Sequence, residues 1–328
     1  MSNIKSRLSK GALGVAVALI VCVPFFHPPI YVLTLGIAAF MYIGLAISWN
    51  IIGGYAGYIS LATGAFFGIG AYSTGYIVTH YGYAMVFPGI ILGGVIAGFI
   101  AVLIGYPVLK IKGPYFILAS GLIVMGFRLI FMNTGFMGGP MGFFYPMIPV
   151  DIFTNRFIFY EVMLMLAAVI GFIAYRVQNS KMGIGLFCIR EDEDVAETIR
   201  INTTRLKIEG FAISACLIAV VGGAWGCYHT HVTPMEGFDL WLSIMVLAMG
   251  LLGLGRDWRG PIIGAIVIVM LDQILSLFLF AELARMIFGL LMVLIILFLP
   301  QEGIIVYLIK AWERLKLLFL EKKKLEHS

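Results

Sequence analysis

Residues 85–108 read MVFPGIILGGVIAGFIAVLIGYPV, a bilayer-length run without one charged side chain. The hydrocarbon core of a membrane takes about 20 apolar residues of helix, whereas a soluble helix keeps a charged face toward water. Runs of the same kind recur on both sides of this one, near 11–27, 30–50, 58–79, 114–133, 158–176, 207–229, 239–255, 261–280 and 284–300. Their apolar residues are continuous rather than alternating, which argues for helices over the strands of a β-barrel. The whole chain agrees: 61% of its 328 residues are hydrophobic and 12% charged, with mean hydropathy +1.02, against about a quarter charged in a soluble domain. The expected fold is all-α, a polytopic transmembrane helical bundle of about ten spans, forming a single domain over residues 1–328.

Sidedness follows from charge. Lys and Arg accumulate in the cytoplasmic loops of membrane proteins. With the N-terminus inside, 19 of the 22 basic residues fall on that face, leaving Arg128, Arg156 and Arg285 elsewhere. An odd number of spans would put the Lys322–Lys324 run outside, so the reading is N-in and C-in. A loop at about 177–206 and a basic tail at about 301–328 then lie in the cytoplasm. The net charge of +5 reflects this asymmetry and is no argument for nucleic acid. Val23-Pro24-Phe25-Phe26-His27 offers no small-residue cleavage site, so the first run reads as an uncleaved helix.

The 39 glycines are spread through the spans, where small residues allow close helix contact or a break around a cavity. Gly53-x-x-x-Gly57, Gly64-x-x-x-Gly68, Gly94-x-x-x-Gly98 and Gly222-x-x-x-Gly226 repeat the close-packing spacing. The densest stretch, from Asn50 to Gly75, reads NIIGGYAGYISLATGAFFGIGAYSTG. Gly53 and Gly54 are expected to break the helix there, with Ser60 and Thr63 donating to the backbone groups so exposed. Two readings stay open: a broken helix lining a translocation path, with Asn50 and Tyr58 beside it, or a tight packing helix whose hydroxyls bond its own carbonyls. Ionisable residues at membrane depth are few, chiefly Arg128 and Asp272, with Glu161 and Glu282 near boundaries. Arg128 is a candidate for the path, or snorkels or pairs with a carboxylate. His229-x-His231 lacks further ligands and is assigned no metal. Cys22, Cys188, Cys216 and Cys227 have no paired spacing and are assigned no disulfide.

Residues 176–209 depart from all this, carrying 12 of the 39 charged side chains. Within this island, Arg190 to Arg200 reads REDEDVAETIR and predicts a surface helix of about three turns. Glu191, Asp192, Glu193 and Asp194 crowd its start, where the helix dipole favours negative charge. Val195 and Ile199 share one face with Ala196 beside them, and Glu197 lies between. Asn202 is the expected N-cap of the next span. Such an element fits a groove on a soluble partner; a solvated charged loop is the alternative.

The island segment SKMGIGLFCIREDEDVAETIRINTTRLKIEGFAIS resembles the cytoplasmic loop of the LivH/LivM permease family, the membrane subunits of ABC importers for branched-chain and related amino acids. Asn50 to Tyr72, Gly138-Gly139-Pro140-Met141-Gly142, Leu242 to Gly264 and Pro300-Gln301-Glu302-Gly303 resemble further family segments in order, the LivM branch most. The resemblance implies that Arg190 to Ile199 couples the permease to ATPases. It also implies two ATP-binding subunits, a second permease of LivH type and an extracytoplasmic substrate-binding protein. The location implied is a bacterial or archaeal plasma (inner) membrane. Departures are Tyr58 and Thr63 where relatives often have Gln and His, Met125 where a Glu commonly precedes Arg128, and Arg200 where a Gly is usual. These changes put the identity of the solute in doubt, and a loss of polar groups fits an apolar or aromatic amino acid or another small carboxylate.

No G-x-x-x-x-G-K phosphate loop occurs, so no cofactor is expected on this chain and ATP would be bound by partner subunits. The alternative function is a stand-alone ion-coupled secondary transporter or channel, which would have no need of the REDEDVAE segment. A membrane enzyme would need a cluster of nucleophile, base or metal ligands, and the sequence offers none.

Overall fold

The structure, a computed structural model, describes residues 28–146, 151–253 and 257–278, together with Pro24, Phe280, Leu283 and residues 286–290. The expected first span, most of the tenth, the basic tail, Cys22 and Glu282 lie outside the described residues.

The long helices are α1 (Ile30–Asn50), α2 (Thr63–Tyr81), α3 (Val86–Val108), α4 (Pro114–Asn133) and α5 (Ile152–Gln178). The island forms α6 (Lys181–Glu191) and α7 (Glu193–Thr198), and the chain continues as α8 (Thr203–His229), a short α9 (Pro234–Gly237), α10 (Leu240–Leu252) and α11 (Gly260–Phe278). Among the described residues, seven segments are long and apolar enough to cross a membrane. The eighth long helix, α2, is more polar and buried along most of its length. All eight correspond to spans read from the sequence, but their ends differ. α2 starts at Thr63 rather than at 58, because the chain is non-helical up to Leu61. α5 and α8 start several residues earlier than expected because Asp151 and Asn202 cap them, each side chain accepting a backbone N–H of its first turn.

These helices run alternately between two ends. At the island end, Lys112 meets Asp194 and the Gln178 side chain accepts from the Trp258 N–H. At the other end Tyr31 donates to Gln273. There the strands β1 (Phe143–Phe144) and β2 (His231–Val232) form a small antiparallel ribbon. Every described Lys and Arg except Arg128 and Arg156 stands at or beside the island end. The Gly138-Gly139-Pro140-Met141-Gly142 turn leads into β1 with all three glycines at positive φ, a region open to glycine at little cost.

α8 is the axis of the bundle. It packs along α2 and α3, and also touches α1 and α5. Gly222 lies against the Phe67 carbonyl and Gly70 against the Ala219 carbonyl, so the α2 and α8 backbones meet with no side chain between them. The outside is apolar instead: Ile91, Val95, Phe99 and Leu103 form an exposed stripe down α3, as a helix facing hydrocarbon requires.

Candidate functional site

The expected break in the Asn50–Gly75 stretch exists, and its location is the island end. α1 ends in a π-turn over Ile51–Tyr55, and a non-helical stretch follows before α2 starts at Thr63. Breaking a helix inside a bundle frees backbone groups that must find partners. The expectation that Ser60 and Thr63 supply them is corrected. Trp49 reaches forward to donate its indole N–H to the Ser60 carbonyl at 2.7 Å. Ser120 of α4 accepts from the Leu61 N–H at 2.8 Å, and Ser243 of α10 from the Gly64 N–H at 2.8 Å. The Ser60 hydroxyl accepts from the nearby Ala62 N–H rather than donating, while the buried Thr63 hydroxyl has no hydrogen bond among the described residues. The stretch is thus clamped by three neighbours.

Asn50, Gly53, Gly54, Ser60 and Thr63 are all buried within the subunit. Gly53 is covered by the Trp49 ring and Gly54 by the Asn50 amide. Tyr58 lines a cavity of about 430 Å³ at the island end, bounded also by Gly57, Lys112, Phe116, Arg190 and Glu193. Arg128 stands apart, half-buried on α4 and about two turns beyond Ser120. The structure therefore groups six of the seven candidate path residues and leaves Arg128 outside the group.

The island is also rearranged relative to expectation. Arg190 and Glu191 do not begin the surface helix; they end α6, and the chain extends at Asp192 (φ −160°, ψ 115°) before α7 starts. Asp192 is the reason: its carboxylate accepts from the Asp194 and Val195 N–H groups at 2.9 and 3.1 Å, which fixes a new helix start. Instead of three continuous turns, the segment is a six-residue helix hinged on α6. Val195 and Ile199 are 56% and 62% exposed, while Ala196 is buried and belongs to the inner face rather than to theirs. Glu191, Asp192, Asp194 and Glu197 are exposed.

Glu193 separates from the other acids. Its side chain is 16% exposed and turns inward, with one oxygen 2.7 Å from Lys207 Nζ of α8 and the other accepting the Tyr58 hydroxyl at 2.7 Å. Lys207, 5% exposed, also donates to the Tyr58 oxygen at 3.1 Å and to the Leu109 carbonyl at 3.4 Å. Burial alone would raise the Glu193 carboxyl. Hydrogen bonds from Lys207 and Tyr58, with the charges of Lys207 and Lys112, outweigh it and hold the group below the ordinary glutamate value. Next to this cluster, Arg190 donates to the Gly54 carbonyl in the π-turn. Glu197 accepts from Thr203 at the start of α8 at 2.7 Å. Lys207 and Trp49 were missed in the sequence; Lys207 opens the expected span 207–229 and reads there as one more charge of the island, whereas the helix start at Thr203 carries it inward, where a buried cation demands a partner.

The histidines behave as packing residues. His231 stacks on Phe144 and lies 3.1 Å from the Met141 carbonyl, and His229 stacks on Trp225. Among the described residues no group of three metal-ligating side chains forms, and Cys188, Cys216 and Cys227 are free.

A family model described as "Branched-chain amino acid transport system / permease component" matches residues 31–296. The chain is 28% identical over 292 residues to the high-affinity branched-chain amino acid transport system permease protein LivM of Salmonella typhimurium strain LT2, covering 80% of this chain and 67% of that protein. It has the same identity and coverage with LivM of Escherichia coli strain K12. No solved structure matches significantly.

Proposed function

The chain belongs to the family of branched-chain amino acid transport system permease components, and from that premise we propose a transmembrane permease subunit of an ABC importer carrying branched-chain or related amino acids, aromatic ones included. One observation carries the coupling part of this reading. α7 holds Val195 and Ile199 out in water at the end of the bundle where the basic residues gather, flanked by exposed acids. Two exposed apolar side chains on an anchored helix suit a groove on a soluble protein.

In this reading, two ATP-binding subunits grip the exposed side chains of the Arg190 to Ile199 segment from the cytoplasm, Glu193 being turned inward, and supply the energy, since the sequence has no phosphate loop of its own. A second permease of LivH type completes the membrane part, and an extracytoplasmic substrate-binding protein delivers solute at the end carrying the β1–β2 ribbon. The broken segment from Asn50 to Thr63 forms part of the moving wall of the path, with Tyr58 on its cavity and Arg128 further along. The ten-span count, both termini in the cytoplasm and a bacterial or archaeal plasma membrane belong to the same reading, supported by the basic residues of the sequence.

The test is co-purification of the assembled transporter. Val195→Asp combined with Asp194→Lys and Glu197→Lys should lower ATPase recovery on the permease by about ten-fold or more, as loss of a central apolar anchor does, while the permease still inserts. Wild-type recovery together with wild-type uptake would sink the docking role.

A further inference from the structure

α7 has six residues, too few to be stable alone, and only Ala196 among them is buried apolar surface. What fastens it to the bundle is polar: Glu193 on Lys207 and Tyr58, and Glu197 on Thr203. The Glu193 contacts join three parts of the fold at one point. α7 supplies the carboxylate, the stretch after the π-turn supplies Tyr58, and α8 supplies Lys207, which reaches the end of α3 at Leu109 as well. A buried ion pair of this kind contributes little net stability compared with an apolar contact, but leaving one partner buried alone is costly. The arrangement therefore forces α7, the broken stretch and α8 to move together or to stay together. Through Lys207 it reaches the helix that touches α1, α2, α3 and α5.

We infer that Glu193, with Lys207 and Tyr58, is the mechanical link that carries motion of α7 into the broken α1–α2 segment and α8; Glu193 is a positioning residue and not part of the surface gripped by a partner. The inference rests on the docking reading of α7 and deepens it.

The experiment uses the complete transporter, permease with its partner subunits, in proteoliposomes, following ATP hydrolysis and solute uptake together. Glu193→Gln and Lys207→Met should keep ATPase association and raise the ATP hydrolysed per solute moved by about ten-fold or more, the loss expected when a single coupling contact is removed. The exchange Glu193→Lys with Lys207→Glu should return that ratio to within about three-fold of wild type, as coupled pairs do. Tyr58→Phe, which removes one hydroxyl and keeps the ring on Phe116, decides the matter if the charge variants fail to reach the membrane: it should raise the ratio in the same direction. Uptake that stays in step with hydrolysis in Glu193→Gln and Tyr58→Phe would overturn the link, as would loss of ATPase association in Glu193→Gln. Failure of the docking reading is distinguishable, because Val195→Asp would then leave ATPase association unchanged.

Discussion

Arg200 closes α7 with φ at +64°, in the left-handed region that a side chain with a Cβ enters at a cost. Its N–H donates to the Glu197 carbonyl at 3.0 Å and the Ile201 N–H to the Ala196 carbonyl at 3.1 Å, the paired bonds that end a helix on a left-handed residue. The position is one where the resembling family usually has Gly, and the conformation gives the reason. Arg200→Gly should therefore stabilise the island by about 1 kcal/mol, read as slower proteolysis or amide exchange of α7 in the purified permease. Asp192→Ala should act the opposite way, by about 1 kcal/mol, because the first turn of α7 loses its cap. In the letters REDED the four acids look alike. Only their contacts distinguish Asp192 as a cap, Glu193 as an anchor and Asp194, 87% exposed, as surface.

Where α2 crosses α8, the two helices meet backbone against backbone. A methyl group at Gly222 would overlap the Phe67 carbonyl, and one at Gly70 the Ala219 carbonyl, both backbone atoms that cannot swing aside. Gly222→Leu or Gly70→Val should force α2 and α8 apart and cost about 1–3 kcal/mol or more, seen as a lower melting midpoint of the detergent-purified protein. Gly126, whose Cβ would meet nothing within 4 Å, is the control: Gly126→Ala should be neutral or slightly stabilising, since it also favours the helix. Gly64 and Gly68, flagged by spacing alone, also meet close neighbours from the Gly237–Asp239 stretch. The same spacing at Gly53 and Gly57 serves a different end, a π-turn and a residue at φ +75° packed on Arg190.

For the molecule as a whole, the charge asymmetry makes a direct prediction. In a background with Cys22, Cys188, Cys216 and Cys227 replaced by Ser, Val195→Cys should react with a membrane-impermeant thiol reagent only from the cytoplasmic face and Phe144→Cys only from the other; both side chains are well exposed. Labelling of the two from one face would overturn the sidedness. The spans were legible because a bilayer imposes length and hydropathy on each helix separately, so 85–108 identifies itself without reference to any neighbour. The break was expected at Gly53-Gly54, but these two lie in the π-turn and the non-helical stretch begins after Tyr55. The cap at Asn202 was within reach because capping is a local hydrogen bond, whereas at Asp192 one three-turn helix was expected in place of a new helix start. What the letters could not supply was partnership. That the Ser60 carbonyl is held by Trp49, that Glu193 rather than Asp194 turns inward, and that Lys207 lies buried against Tyr58 depend on contacts between residues up to 149 positions apart. The sequence by itself determined which segments are long and apolar enough to cross a membrane and which loops carry the charge, because those are local properties of the residues. Only the tertiary structure decided which charge grips which helix, because a buried ion pair forms where two chain segments meet in space and has no period or spacing in the sequence to announce it.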